Sequence, residues 1–506
     1  MINKVKMLSL SVLTVFMIQA CHDDDYVPTA DSPTQFLALS PTVYERLRTP
    51  PVFADPNAPT AAESEAAATV AGINELFTLA ATVAGRTDAN GDVVDAVGTE
   101  PCQVKLNKMA YDTVGGAGEV TTSTGVVMIP FSDDPASECN APRPVVLYAH
   151  GTTADRNYDL SKLIADPNNP ANGEGMLMLA LYASEGYVVV APNYAGYADS
   201  ALSYHPYVIE SQQSAEMIHA LDYVRKHAHN IGAKLSSKLF VTGVSQGGYV
   251  ALATHKALEA KGETVTASAP ISGPYAMGTF MDVIIGQGKV NGGATTFAPM
   301  YITALQKSYG IYDDPSEVFS TSTTESMNYA DFAENSLPEP GATEALDVGL
   351  PETALFSDNF SAPPGHEFGY GSDHLLSDTF RTNYIAAISD PTQMTAASKA
   401  RALAHAGDLS TGWTPASQIT LCGSANDPVV FHVNSNITAA SLGSMVTNLN
   451  LDGTPSTTPA SVVEGIYATV QQKWQSDGVA SQVEAIHGST AFYCAGAALG
   501  LFNSLK

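Results

Sequence analysis

The sequence is short of positive charge. Its 506 residues hold 23 Lys and Arg against 51 Asp and Glu, a formal net charge of −28 at pH 7. Such a surface repels nucleic-acid phosphates and anionic headgroups, so both are poor direct partners. Charged residues make up only 15% of the chain and hydrophobic ones 45%, so a sizeable core can form and disorder of the whole chain is excluded. No C-x-x-C spacing occurs among the five cysteines, which removes support for a zinc or thioredoxin-like site. No internal repeat is visible, and a propeller is excluded with it. The apolar stretch Met7–Ala20 is too short to cross a bilayer as a helix, which needs about 20 residues.

That stretch suits a secretory signal instead, because Lys4 and Lys6 precede it. It ends in Ile18-Gln19-Ala20-Cys21, which resembles a bacterial lipobox. The resemblance implies cleavage before Cys21 and lipid on its thiol. His22 in place of Asp implies outer-membrane sorting by the same resemblance. The alternative is an ordinary signal peptide with an incidental Cys21, giving a periplasmic or secreted protein. Export makes the other four cysteines an even set in an oxidising compartment. They allow three pairings. Cys102–Cys139 and Cys422–Cys494 are preferred, since each pair falls within one half of the chain. Each closes a loop worth about 4 kcal/mol in the chain-entropy model.

Residues 22–60, rich in Asp, Pro, Ser, Thr and Ala, read as a flexible tether, and 61–105 as a helical extension with Val70, Ile73, Phe77 and Ala80 on one face. From about 106 the pattern alternates. β-rich runs at 121–130, 144–149, 186–192 and 238–243 are interleaved with helices at 211–227 and 246–260. This predicts an α/β fold with a mostly parallel sheet. Residues 272–412 break the rhythm, being rich in Gly, Ser, Thr, Asp and Pro. They are read as a cap inserted into one α/β body spanning 106–271 and 413–506, a separate second domain being the alternative. A strand at 419–423, a helix near 463–475, a short last strand at 482–486 and a C-terminal helix complete the expectation.

Gly243-Val244-Ser245-Gln246-Gly247-Gly248 is a G-x-S-x-G pattern placed between a buried strand and a helix, the context of a nucleophile elbow. Side chains at Gly243 and Gly247 would collide with the neighbouring strand and helix. Ser245 then stands at a helix N-terminus, where developing negative charge is favoured. A serine needs a base to take its proton, and the base needs an orienting acid. His487, after the expected last strand, is the candidate base. Asp427, after the strand at 419–423, is the candidate acid, with Glu484 its rival. His150-Gly151-Thr152 ends an early strand and supplies an oxyanion donor, the Thr152 N–H. The Gln246 N–H supplies the second. His150 itself reads as a brace for this loop.

Taken with Asn193-Tyr194, His205-Pro206-Tyr207-Val208, Trp413-Thr414-Pro415 and Asp427-Pro428-Val429-Val430, these motifs resemble the α/β hydrolases, and within them the bacterial secretory lipase and esterase branch. The resemblance implies an α/β-hydrolase fold with a large cap or lid. It implies hydrolysis of carboxylic esters, small-molecule, lipid or polyester, through an acyl-enzyme without metal or organic cofactor. A membrane would be met only through the lipid on Cys21. Relatives often carry Asp-Tyr where Asn193-Tyr194 stands, which would remove a charge at the rim of the active site. Val244 argues against the tannase and feruloyl-esterase relatives, which have Cys beside the nucleophile. Two other functions use the same fold. One is a serine peptidase or acyltransferase, for which acidic residues such as Glu334 and Glu339 would grip an amine. The other is a surface binding protein that has lost catalysis.

Overall fold

A computed structural model of the chain describes residues 34–39, 61–85, 101–163, 166, 168–320, 354–455, 462–482 and 485–506. Cys21, Glu334, Glu339 and Glu484 lie outside the described residues.

Nine strands form one sheet among these residues, in the order β1-β2-β3-β5-β4-β6-β7-β10-β11, while two short strands, β8 (Phe356–Ser357) and β9 (Tyr370–Gly371), pair with each other apart from it. The first three are β1 (Thr34–Leu39), β2 (Gln103–Val114) and β3 (Val120–Phe131). They pair antiparallel with one another and with β5. The long β2 alternates buried and half-buried residues, as expected of an antiparallel strand with one face toward the core. Next come β4 (Arg143–Ala149), β5 (Val188–Pro192), β6 (Leu235–Val244), β7 (Ala267–Ile271), β10 (Gln418–Gly423) and β11 (Val446–Asn450). These six run parallel. Val188, Val189 and Val190 are buried with the rest of β5, the continuous apolar run of a strand covered on both faces.

Helices Glu210–His227 and Gln246–Ala260 pack together on the sheet, with Met217, Leu221 and Val224 fully buried. A second group joins Ala61–Val83, Val462–Ser476 and Ile486–Leu505. Small residues allow this close approach: Gly496 lies against Leu79 and Gly500 against Ile466. Ile73, Phe77 and Ala80 are buried, so the first helix is part of the body.

Three expectations change. Thr34–Leu39, read as tether, is the edge strand β1 on β2, because Thr-Gln-Phe-Leu-Ala-Leu suits a pleated edge. The last strand of the sheet is β11, not the expected strand at 482–486. Ala485 is already in the right-handed helical region and Ile486 opens the terminal helix, whose first turns are closed by Thr490 Oγ1 donating to Ile486 O. The third change concerns Asn193, described with the site.

The stretch between β7 and β10 is largely helical where it is described. It contains Met277–Met281, continued by Asp282–Gly286, then Ala294–Tyr309, Asp378–Ser389 and Ala396–Ala406. Asp282 joins three of these pieces: Arg401 donates to both of its oxygens at 2.8 Å, and Tyr384 Oη donates at 3.1 Å. Both preferred disulfides are present, Cys102–Cys139 and Cys422–Cys494.

Candidate active site

The parallel register brings strand ends together. Ala149 of β4 sits beside Gly243 of β6, Val244 beside Ile271 of β7, and Ile271 beside Cys422 of β10. The loops after β4, β6 and β10 therefore meet at the carboxyl edge of the sheet, where open α/β sheets place their ligands.

Ser245 stands between β6 and helix Gln246–Ala260 with φ 58° and ψ −118°. A non-glycine residue there is strained, and the strain is held by the packing around it. A Cβ at Gly243 or at Gly247 would strike the Ala149 carbonyl, so only glycine lets β4 and the helix close in on the turn. Ser245 N donates to Ile271 O at 2.8 Å, while the hydroxyl makes no hydrogen bond to a described protein group. The side chain borders two cavities.

His487 lies in the first turn of helix Ile486–Leu505, and its Nδ1 is 2.8 Å from Asp427 Oδ2. Asp427 is 3% exposed, and its other oxygen accepts from Val429 N at 2.9 Å and Val430 N at 3.1 Å. The carboxylate is thus fixed by its own turn before it meets the imidazole. With Nδ1–H donating, His487 Nε2 is left as the basic nitrogen. His487, Ser245 and Thr152 border the same cavity, of about 330 Å³.

Thr152 Oγ1 and Tyr207 Oη are 2.9 Å apart. The Gln246 side chain is anchored by His205: Gln246 Nε2 meets His205 Nε2 at 2.6 Å, and His205 Nδ1 meets Ala195 O at 2.9 Å. The carbonyl forces Nδ1 to donate, so Nε2 accepts. Burial holds His205 neutral, its pKa lowered to about 3. Ala195 is held in turn by its N–H to the buried Glu216 at 2.9 Å. His150 is a brace as expected. It is fully buried between Gly151 O and Asn193 O, at 2.7 and 2.9 Å, stacks on Tyr158 and Tyr194, and is lowered to about 4 by burial.

Asn193 is not at the rim. It is fully buried, donating to Thr124 Oγ1 and Asp159 Oδ1 and accepting from Leu160 N. The carboxylate of the buried Asp159 accepts from its side chain, and an aspartate at 193 would set a second carboxylate against that one.

The second cavity, about 60 Å³, is narrow and apolar. Met277, Phe280, Ile284, Phe297, Leu355 and Val430 are among its lining, with Ser245 and Gln246 at one end. Val208 on its wall has φ 56°, an outlier for a β-branched residue, stabilised by its N–H to Gln213 Oε1 at 2.8 Å. Sequence reasoning assigned no role to Tyr207, His205 and Glu216, which buttress the side chains of Thr152 and Gln246, or to Glu174, which borders the cavity of His487. Periodicity gives no sign of any of them, since each works through a loop brought close only by folding. Among the described residues no cluster of His, Cys, Asp or Glu could hold a metal ion.

No family model matches the sequence, and no curated protein matches it. Solved structures do. A ligand-bound form of the rice cell wall degrading esterase LipA from Xanthomonas oryzae is 22% identical, over 88% of this chain and 98% of that one, with a TM-score of 0.59. A provisionally assigned hydrolase from Legionella pneumophila is 18% identical, over 90% and 98%, with a TM-score of 0.56. With its central sheet flanked by helices and its strand-turn-helix at Ser245, the chain has the α/β-hydrolase fold.

Proposed function

We propose that this protein is an exported serine hydrolase of carboxylic esters. The observation that carries the reading is the Asp427–His487 pair, 2.8 Å apart, opening on the cavity that also holds the strained Ser245. Ser245 Oγ attacks the ester carbonyl while His487 Nε2 takes its proton. Asp427 keeps the imidazole in the required tautomer and stabilises its charged form. The tetrahedral oxyanion is held by the backbone N–H groups of Thr152 and Gln246, donors worth about 3 kcal/mol each in this chemistry. The imidazolium returns the proton to the leaving alkoxide, and the alcohol departs. Water, deprotonated by His487, then attacks the acyl-enzyme and releases the acid. No step calls for a metal or organic cofactor.

The acyl group is assigned to the apolar cavity. Residues 272–412 act as a cap that supplies much of its wall, from Met277, Phe280, Ile284 and Phe297. The Xanthomonas neighbour, named as an esterase, supports the reaction class. Export rests on Lys4, Lys6 and the Met7–Ala20 run, with Cys21 as the lipid site, and the two disulfides support it.

The test uses p-nitrophenyl esters of increasing acyl length, with Ser245→Ala beside the parent chain and an amino-acid p-nitroanilide as the amide control. Ester turnover lost in the variant supports the esterase. Anilide turnover alone would replace it with a peptidase, and silence on every substrate by a folded protein would refute both.

A further inference from the structure

Among the described residues, Glu174 is the carboxylate that lines the cavity of Ser245 and His487, and the mechanism above leaves it without a task. It lies near the start of helix Asn172–Met178 and borders the cavity shared by Ser245, Thr152 and His487. Its Oε1 accepts from Tyr148 Oη at 2.8 Å and from Gly151 N at 3.0 Å. Its Oε2 accepts from the same Gly151 N at 3.2 Å and from Tyr158 Oη at 3.3 Å. No Lys or Arg pairs with it among the described residues. A half-buried carboxylate with no cation beside it is costly to keep ionised, and here four hydrogen bonds offset that cost.

The partner it holds is the residue before Thr152. Gly151 lies between the end of the strand that leads to Ser245 and this carboxylate: a Cβ there would meet Val244 O at 3.5 Å and Glu174 Oε2 at 3.7 Å, ordinary contact distances, so the hydrogen bonds to its N–H rather than steric crowding tie the loop to Glu174. We propose that Glu174 is a positioning residue for the oxyanion loop. Its ionised carboxylate pins the Gly151 N–H and thereby fixes the next peptide, which presents the Thr152 N–H to the oxyanion. The inference rests on the esterase reading. Because the Gly151 N–H is shared between both oxygens, neither a protonated carboxyl nor an amide can reproduce the arrangement: each turns one oxygen position into a donor.

This makes the device sensitive to pH. Burial, opposed by the bonds from Tyr148, Gly151 and Tyr158, raises the Glu174 pKa to about 7. The titratable groups around it are Tyr148, Tyr158 and Tyr194, all pushed up by burial, His150 stacked on Tyr158, lowered to about 4, and His487 across the cavity. As pH falls through about 7 the carboxyl takes up a proton and the pin loosens. His487 must also be neutral to act as a base, so two protonations suppress activity on the acid side.

The experiment measures kcat and KM for p-nitrophenyl butyrate from pH 5 to 9, on the parent chain, Glu174→Gln and Tyr148→Phe, with melting curves as the check on folding. The acid limb of log kcat/KM is steeper than 1 near neutral pH in the parent, where protonation of Glu174 adds its own partial loss, and keeps a slope of about 1 throughout in Glu174→Gln. At high pH, Glu174→Gln loses about tenfold or more in kcat with KM within about twofold, less than the ~10²–10³ of removing an oxyanion donor outright. Tyr148→Phe removes a bond that favours the ionised form, so it moves the acid limb to higher pH and keeps the slope. An active parent chain whose two variants superimpose on it would overturn the role of Glu174 alone. A silent parent chain overturns the esterase reading and this role with it. If Glu174→Gln does not fold, Tyr148→Phe decides, and an unmoved acid limb overturns the proposal.

Discussion

His487 Nδ1 and Asp427 Oδ2 lie 2.8 Å apart across 60 residues of sequence, and a disulfide spans the same gap. Cys422 ends its strand five residues before Asp427, and Cys494 follows His487 by two turns of its helix. The covalent tie therefore joins the two elements that carry the acid and the base. Cys422→Ser with Cys494→Ser is expected to lower unfolding stability by about 4 kcal/mol, from the loop entropy of a separation of 72 residues. Urea titration reads this. The variant should also lose activity before it unfolds, and a variant of parental stability would show that packing alone holds the pair.

Asp427→Asn keeps the shape of the carboxylate but favours the wrong imidazole tautomer. It should reduce kcat by about 10³–10⁴ with KM within a few-fold. Steady-state ester kinetics measure it. A loss below tenfold would point to another acid.

The apolar cavity sets the acyl preference. Each methylene it buries is worth about 0.8 kcal/mol, so kcat/KM should rise roughly fourfold per carbon until the cavity is full. Ala294 lines the cavity, and Ala294→Phe should cut turnover of long acyl esters while acetate is processed nearly as before. An equal loss on acetate and decanoate would place the acyl chain elsewhere.

Gly247→Ala sets a Cβ against the backbone of Ala149 and His150. Neither can retreat without moving β4, so overpacking should cost about 1–3 kcal/mol and most of the activity. Gly72→Ala is the control, on a helix with open space around it, and should be neutral or slightly stabilising. Melting curves of the two variants give the contrast.

His205 links pH to stability. Its folded pKa, about 3, lies below the ordinary 6.5, so the unfolded chain binds the proton first. The stability it contributes is complete above about pH 6.5 and is lost as pH falls toward 3, by about 2 kcal/mol at pH 5. His205→Gln should flatten the urea midpoint against pH over this range. It should also lower kcat, because Gln246 loses its anchor.

The elbow was legible because its glycines have a steric cause that shows in sequence, and the parallel strands because doubly covered strands such as Val188-Val189-Val190 read as unbroken apolar runs. Asp427 and His487 could be chosen by their order along the chain, yet the local structure of His487 was missed. A short run such as Val483-Glu484-Ala485-Ile486 suits a strand or a helix start alike, and from Ala485 onward the chain is helical. Asn193 was misplaced for a related reason. Its polar side chain suggests a rim, whereas folding encloses it between Thr124 and Asp159. His205 and Tyr207 stood out only as part of a motif, with no role attached, and Glu216 and Glu174 carry no local pattern at all.

The most direct measurement is covalent labelling with a fluorophosphonate probe, followed by mass spectrometry of the tryptic peptides. The label should fall on Ser245, at a rate that collapses in His487→Ala while that variant stays folded. Labelling of another residue, or none on a folded parent chain, would contradict the assignment of Ser245 as an activated nucleophile.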